Sequence, residues 1–144
     1  MLLTTKGKYG LRAVFAVALN GNEPLSLSAI ARQEGLSESY LEILMAALKK
    51  GGILVSTRGA RGGYRLAADP SELTVGRILR VLEGSTAAAE CVAEGETVSS
   101  CGNEGTCNGA CRIHGVLMKI NQQINAVLDS MTLQDMLDDE LKTI

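Results

Sequence analysis

Between Ser26 and Lys50 the chain spells two short amphipathic helices joined by Glu34-Gly35-Leu36-Ser37, and a joint that tight leaves few folds open. Ser26 is placed to cap the first, which ends near Glu34 with Leu27, Ile30 and Ala31 facing inward. Gly35 supplies the left-handed residue that ends a helix, and Leu36 fills the turn. Ser37 or Ser39 starts the second helix, where Ser39-x-x-Glu42 would make a capping box. Leu41, Leu44, Met45 and Leu48 share one face of it; Ser39, Ile43, Ala46 and Lys50 lie on the other. Gly51-Gly52 terminates it, and two strands follow, Ile53 to Arg58 and Tyr64 to Ala67, around Gly59-Ala60-Arg61-Gly62-Gly63. Helix, tight turn, helix and small hairpin describe a winged helix-turn-helix within a mainly α fold class.

The flanking elements are also readable. Thr4 or Thr5 can cap a first helix to about Leu19, with Tyr9, Ala13, Val14, Val17 and Ala18 as buried candidates. Thr74 caps a helix with Val75, Ile78, Leu79 and Leu82 on its apolar face. A long helix spans roughly Arg112 to Ser130. Ile113, Leu117, Ile120, Ile124, Val127 and Met131 recur along it at alternating spacings of four and three, the seam of helices that pair at a shallow angle. Thr132-x-x-Asp135 opens a short last helix. The organisation expected is a DNA-binding domain over residues 1–84, a cysteine-rich loop over 85–111, and a dimerisation helix with a short terminal helix over 112–144.

Charge is divided along the chain. Residues 1–66 hold nine Lys/Arg against four Asp/Glu, and residues 67–144 hold five against twelve, so +5 faces −7 within a net −2. A basic half joined to an acidic half points the first half at a polyanion. Aromatic residues are only 3%, too few for a base-stacking surface for single strands, so double-stranded DNA is the expected partner. No apolar run approaches a membrane span and no signal peptide is evident, so a reducing, cytoplasmic location without membrane contact is expected.

The helix that enters a major groove needs a short, polar outward face. Ser39 and Ala46 suit it, Tyr40 and Lys50 can reach phosphates, and Glu42 can accept from a cytosine amino group. Ile43 is the odd member, an apolar side chain that could meet a thymine methyl. The hairpin carries Arg58, Arg61 and Arg65 among glycines that permit close backbone approach, and arginine favours narrow minor grooves. A phosphate cradle is the competing reading of that loop. It lacks a following Gly-Lys-Ser/Thr, and a strand rather than a helix flanks it.

All four cysteines and the one histidine lie between Cys91 and His114, in a stretch rich in Gly, Ser, Asn and Glu. Soft ligands on such a loop fit a metal or iron–sulfur cluster better than hydrophobic packing. Zinc is the alternative, although tight Cys-x-x-Cys knuckles are absent; a metal-free thiol switch is another. An enzyme using Cys111 as nucleophile with His114 as base lacks a third residue to orient the base, and no small-molecule substrate is expected.

The stretches Leu3-Thr4-Thr5-Lys6-Gly7-Lys8-Tyr9, Ile30-Ala31, Leu36-Ser37-Glu38-Ser39-Tyr40-Leu41-Glu42, Arg58-Gly59-Ala60-Arg61-Gly62-Gly63-Tyr64 and Leu82-Glu83-Gly84 resemble the IscR-type family of bacterial iron–sulfur cluster regulators, with its nitric-oxide (NsrR) and cysteine-metabolism (CymR) branches. The resemblance covers nearly the whole chain. It implies a homodimeric winged-helix repressor or activator whose long C-terminal helices cross. It also implies DNA contacts at Ser37, Ser39, Tyr40, Glu42, Ile43 and Arg58, to which the residue reading adds Lys50 and Arg61. Some relatives have Gln where Ile43 stands, so the operator does not carry over.

The same resemblance implies an iron–sulfur cluster, 2Fe–2S ahead of 4Fe–4S, on three cysteines with a non-thiolate fourth ligand. Cys111-Arg-Ile-His114 matches one branch. The fourth thiol is a departure, because Cys101 and Cys107 compete for the middle position after Cys91. The ligand set is therefore Cys91, Cys101, Cys107 and Cys111, or three of these with His114. The expected function is transcription regulation in which the loop's occupancy sets DNA affinity. The alternative is a cluster-free repressor of the same family acting through thiol redox, zinc or a protein partner.

Overall fold

A computed structural model describes residues 3–93 and 111–143. Its elements are α1 (Thr5–Leu19), α2 (Leu27–Glu34), α3 (Glu38–Lys50), β1 (Leu54–Thr57), β2 (Gly63–Leu66), α4 (Val75–Glu83), α5 (His114–Ser130) and α6 (Leu133–Thr143), with a short 3₁₀ turn at Glu90–Val92.

Each of the first four helices begins where a hydroxyl side chain can take an unpaired backbone N–H. Thr4 accepts from the Gly7 N–H, Ser26 from Ala29, Ser37 from Tyr40 and Thr74 from Arg77. The capping box at Ser39 is not formed. Ser37 is extended (φ −68°, ψ 142°) and caps first, which places Ser39 inside α3. Gly35 adopts φ 67°, the left-handed turn that lets α3 cross α2 after three residues. The α3 stripe Leu41, Leu44, Met45 and Leu48 is fully buried against Ala13, Val14 and Val17 of α1 and Ile30 of α2. Each buried leucine of that size contributes about 1.5–3 kcal/mol relative to exposure.

The first strand is two residues shorter than the apolar pattern suggests and the second keeps its length but starts one residue earlier, because pairing runs from Leu54↔Leu66 to Thr57↔Gly63. The hairpin is tied to the entry of α2: the Leu25 N–H donates to the Tyr64 carbonyl (3.0 Å) and the Tyr64 N–H to the Leu25 carbonyl (2.8 Å). A Cβ on Gly63 would collide with the Leu25 backbone, so this contact requires glycine there. The glycines expected to admit a ligand thus serve, at this position, the wing's own packing.

The chain then doubles back. Leu133 is completely buried in the main core, and Met136 and Leu137 pack on it, so α6 lies on α1. A short bridge, Thr74↔Thr132, fixes the α5–α6 corner beside the start of α4: Val75 N–H donates to the Met131 carbonyl (2.8 Å) and Leu133 N–H to the Leu73 carbonyl (2.9 Å). Thr132 and Asp135, read from the sequence as the start of the last helix, cap it reciprocally: the Thr132 N–H donates to the Asp135 carboxylate and the Asp135 N–H to the Thr132 hydroxyl. A smaller cluster of Val75, Leu79 and Leu128 joins α4 to α5. No described helix is long and apolar enough to cross a membrane.

Candidate nucleic-acid interface and cysteine segment

The outward face of α3 is open. Ser39, Glu42, Ile43, Ala46 and Lys50 are all exposed, and Ile43 is 63% exposed. Ser37 heads this face, its hydroxyl 3.5 Å from that of Ser39. Tyr40 differs from its neighbours. Its half-buried ring meets the Tyr9 ring edge-on at 6.4 Å, and the Arg12 guanidinium lies 5.5 Å over Tyr9. Arg12 is also paired with Glu34 (2.7 Å), which braces α1 against the end of α2. On the wing, Arg58, Arg61 and Arg65 are exposed. The structure therefore presents most of the expected DNA-reading residues to solvent along α3 and the wing, and holds Tyr40 in an aromatic pair as well.

The cysteine segment is described only at its two ends. Cys91 and Cys111 are half-buried free thiols. Cys101 and Cys107 lie outside the described residues. His114 is half-buried and is the first residue of α5, its N–H donating to the Cys111 carbonyl at 3.2 Å. That turn replaces the helical start expected near Arg112, because no side chain caps α5. Among the described residues no three His, Cys, Asp or Glu side chains gather closely enough to hold a metal ion. The donor chemistry of the segment, thiolates with an imidazole, nevertheless suits an iron–sulfur cluster.

Sequence reading missed what holds the end of α4 and the stretch before Cys91. Three residues one turn apart on α5, Asn121, Asn125 and Asp129, form a polar ladder. Asp129 receives two 2.8 Å bonds from Arg80, which hold its carboxyl below the usual carboxylate range. Asn125 accepts from the Thr86 hydroxyl (2.7 Å) and from Arg80 (3.3 Å). Asn121 accepts from the Ala88 N–H (3.0 Å) and donates to the Val92 carbonyl (3.2 Å). Thr86, only 4% exposed, is buried by this arrangement. The signal was present as two asparagines at i, i+4 in a helix otherwise read for its apolar seam. Glu83 is a second such anchor. Its carboxylate accepts from the Thr4 hydroxyl (2.7 Å) and N–H (3.2 Å), joining the end of α4 to the start of α1.

The apolar seam is covered only in part: Leu117 and Ile124 are half-buried, Ile124 against the small α4–α5 cluster. Ile113 is 59% and Val127 56% exposed, and Val116, Ile120 and Ile124 line a shallow groove of about 620 Å³ on α5.

The family model for Rrf2, described as an iron-dependent transcriptional regulator, matches residues 3–139. The chain belongs to the Rrf2 family. It is a transcriptional regulator, not an enzyme, and the resemblance read from its motifs agrees with that membership. The HTH-type transcriptional regulator IscR of Aliivibrio salmonicida is 35% identical over 147 residues, covering 100% of this chain and 82% of the relative. The solved structure of CymR, the global cysteine regulator of B. subtilis, superposes with a TM-score of 0.74 at 37% identity, covering 94% of this chain and 95% of that one. T. potens IscR gives 0.71 at 40% identity, with 97% and 88% covered. The mainly α winged helix-turn-helix expected from the sequence is the fold observed.

Proposed function

We propose that this regulator works as a homodimer on double-stranded DNA. In this reading α3 lies in the major groove, the wing arginines Arg58 and Arg61 sit beside it, and the cysteine segment senses the input. The observation that carries the DNA-binding part is the division of α3: one face fully buried in the core, the other exposed and lined by Ser37, Ser39, Glu42, Ile43 and Lys50. A helix about 10–12 Å across fits a groove about 12 Å wide only if its outward side chains stay compact, as Ser39 and Ala46 are. Lys50 at the far end supplies a phosphate contact, and Tyr40 supplies another from its braced position.

The exposed part of the α5 seam supports pairing with a second copy, which sets two α3 helices about one DNA turn apart. Residues 1–84 act as the reading domain, 85–111 as the sensing loop, and 112–144 as the pairing helix and the segment that returns to α1.

For sensing, Cys91, Cys101, Cys107 and Cys111, or three of them with His114, would hold an iron–sulfur cluster, 2Fe–2S ahead of 4Fe–4S. When bound, that group supplies one-electron redox chemistry and lability to oxidants. The chain's own residues provide the connection: Asn121, Asn125 and Thr86 hold the approach to Cys91, and Arg80 and Glu83 tie that region to α4 and α1. A shift of the loop thereby biases the orientation of the reading domain relative to α5.

A second reading is a cluster-free regulator using thiol redox, zinc or a protein partner. The likeness to a cysteine regulator, as close as that to IscR proteins, supports it. Anaerobic purification followed by iron, sulfide and zinc analysis and a DNA titration separates the two. Brown protein whose DNA affinity changes on cluster loss is expected. Colourless protein without iron from iron-replete cells favours the second reading, and absence of any sequence-selective DNA binding overturns both.

A further inference from the structure

The sorting of side chains on α3 has one exception. Leu41, Leu44, Met45 and Leu48 are at most 1% exposed, whereas Ile43 stands 63% exposed on the opposite face. Its exposed neighbours on that face are Ser39, Glu42, Ala46 and Lys50, none of them a large apolar group. Ile43 is therefore a lone knob, too small to drive association with another protein by area. It is also a stiff one. A β-branched side chain in a helix keeps essentially one χ1 rotamer, so its methyl groups are held outward before any partner arrives.

The neighbours decide what the knob meets. The Glu42 carboxylate, one residue away, is repelled by phosphates, so this strip of α3 faces base edges rather than the sugar–phosphate backbone. Small side chains at Ser39 and Ala46, one turn on either side, let the helix approach those edges closely. The major-groove edges offer hydrogen-bonding atoms and one apolar feature, the C5-methyl of thymine. An isoleucine gains nothing from the former and buries surface against the latter.

Resting on the DNA-binding proposal above, we propose that Ile43 is a specificity-determining residue that reads a thymine methyl group, so that each operator half-site carries a required thymine opposite it. The preference is for the methyl rather than for the hydrogen-bonding pattern of the A·T pair.

Selection of operators from random DNA with the full chain, followed by single thymine-to-uracil replacements, isolates that methyl. Affinities are measured at one fixed salt concentration for the native chain, Ile43→Ala and Ile43→Val. At one thymine per half-site, uracil is expected to weaken native binding on the order of fourfold, the effect of one buried methyl-sized group. Ile43→Ala is expected to lose that response while keeping its circular-dichroism spectrum, and Ile43→Val to retain most of it. Uracil tolerated at every thymine, or an undiminished uracil penalty in Ile43→Ala, overturns the assignment and leaves DNA binding standing. Failure to enrich any sequence overturns the DNA-binding proposal and this one together.

Discussion

Helices α3 and α5 both expose apolar side chains, and they do so in opposite ways. Helix α3 buries its whole apolar stripe inside the chain and leaves out a single isoleucine surrounded by small and charged residues. Helix α5 fully buries only Leu128 and leaves Val116, Met118, Ile120 and Val127 exposed, with Ile113 exposed just before its first turn. A lone exposed apolar residue is ordinary on a protein surface, whereas several on one helix leave an apolar face with room for a partner. The first helix is completed by its own chain; in the proposed reading a second copy completes the other.

The sharpest way to test that contrast is to shorten one residue on each. Leu44→Ala in α3 is expected to cost about 2–5 kcal/mol, read as a fall in the urea midpoint, because it opens a cavity in the main core. Val127→Ala in α5 is expected to leave the midpoint nearly unchanged at concentrations where the chain is monomeric, and to lower it only where the dimer forms. A comparable loss from both would mean that α5 is already covered.

Next in size, Ile120→Lys is expected to convert a dimer into a folded monomer in sedimentation velocity and to weaken operator binding at least tenfold. A dimer that persists would move the pairing surface elsewhere. Thr86→Val removes one buried hydrogen bond and is expected to cost about 1 kcal/mol. Hydrogen exchange should then quicken at Ala88, whose N–H the ladder protects; unchanged protection would show the ladder to be incidental.

The smallest effect is electrostatic. Arg80 holds the Asp129 carboxyl below its ordinary range, so the pair's contribution is full above that range and disappears as pH falls through the lowered value. Both side chains are substantially exposed, which limits the contribution to under about 1 kcal/mol. Asp129→Asn should flatten the acid limb of the stability curve slightly and leave neutral pH almost as it was, apart from that small loss.

What could be read in advance followed from short-range rules. Ser26, Thr74 and Gly35 mark helix ends through chemistry that involves only a few neighbouring residues, and the periodicity of Leu41, Leu44, Met45 and Leu48 states a buried face directly. Where two rules competed, at Ser37 and Ser39, the pattern could not choose, because either hydroxyl can cap. The long-range connections were invisible. Nothing in Asn121 or Thr86 announces a partner 33 to 39 residues away, and the burial of Leu133 beneath α1 depends on a chain reversal that periodicity does not encode. The cysteines were conspicuous by type, but of the five candidate ligands Cys101 and Cys107 fall outside the described residues.

The ladder on α5 has a mechanical consequence. From Asn121 to the corner at Thr132 the helix is clamped to α4 and its outgoing segment, while the preceding seven residues, about 10 Å of helix, project toward Cys111. Such an arrangement is a cantilever. A push at its His114 tip is felt as torque at the root, and the root is held by Arg80, three residues before the carboxylate that grips the first turn of α1.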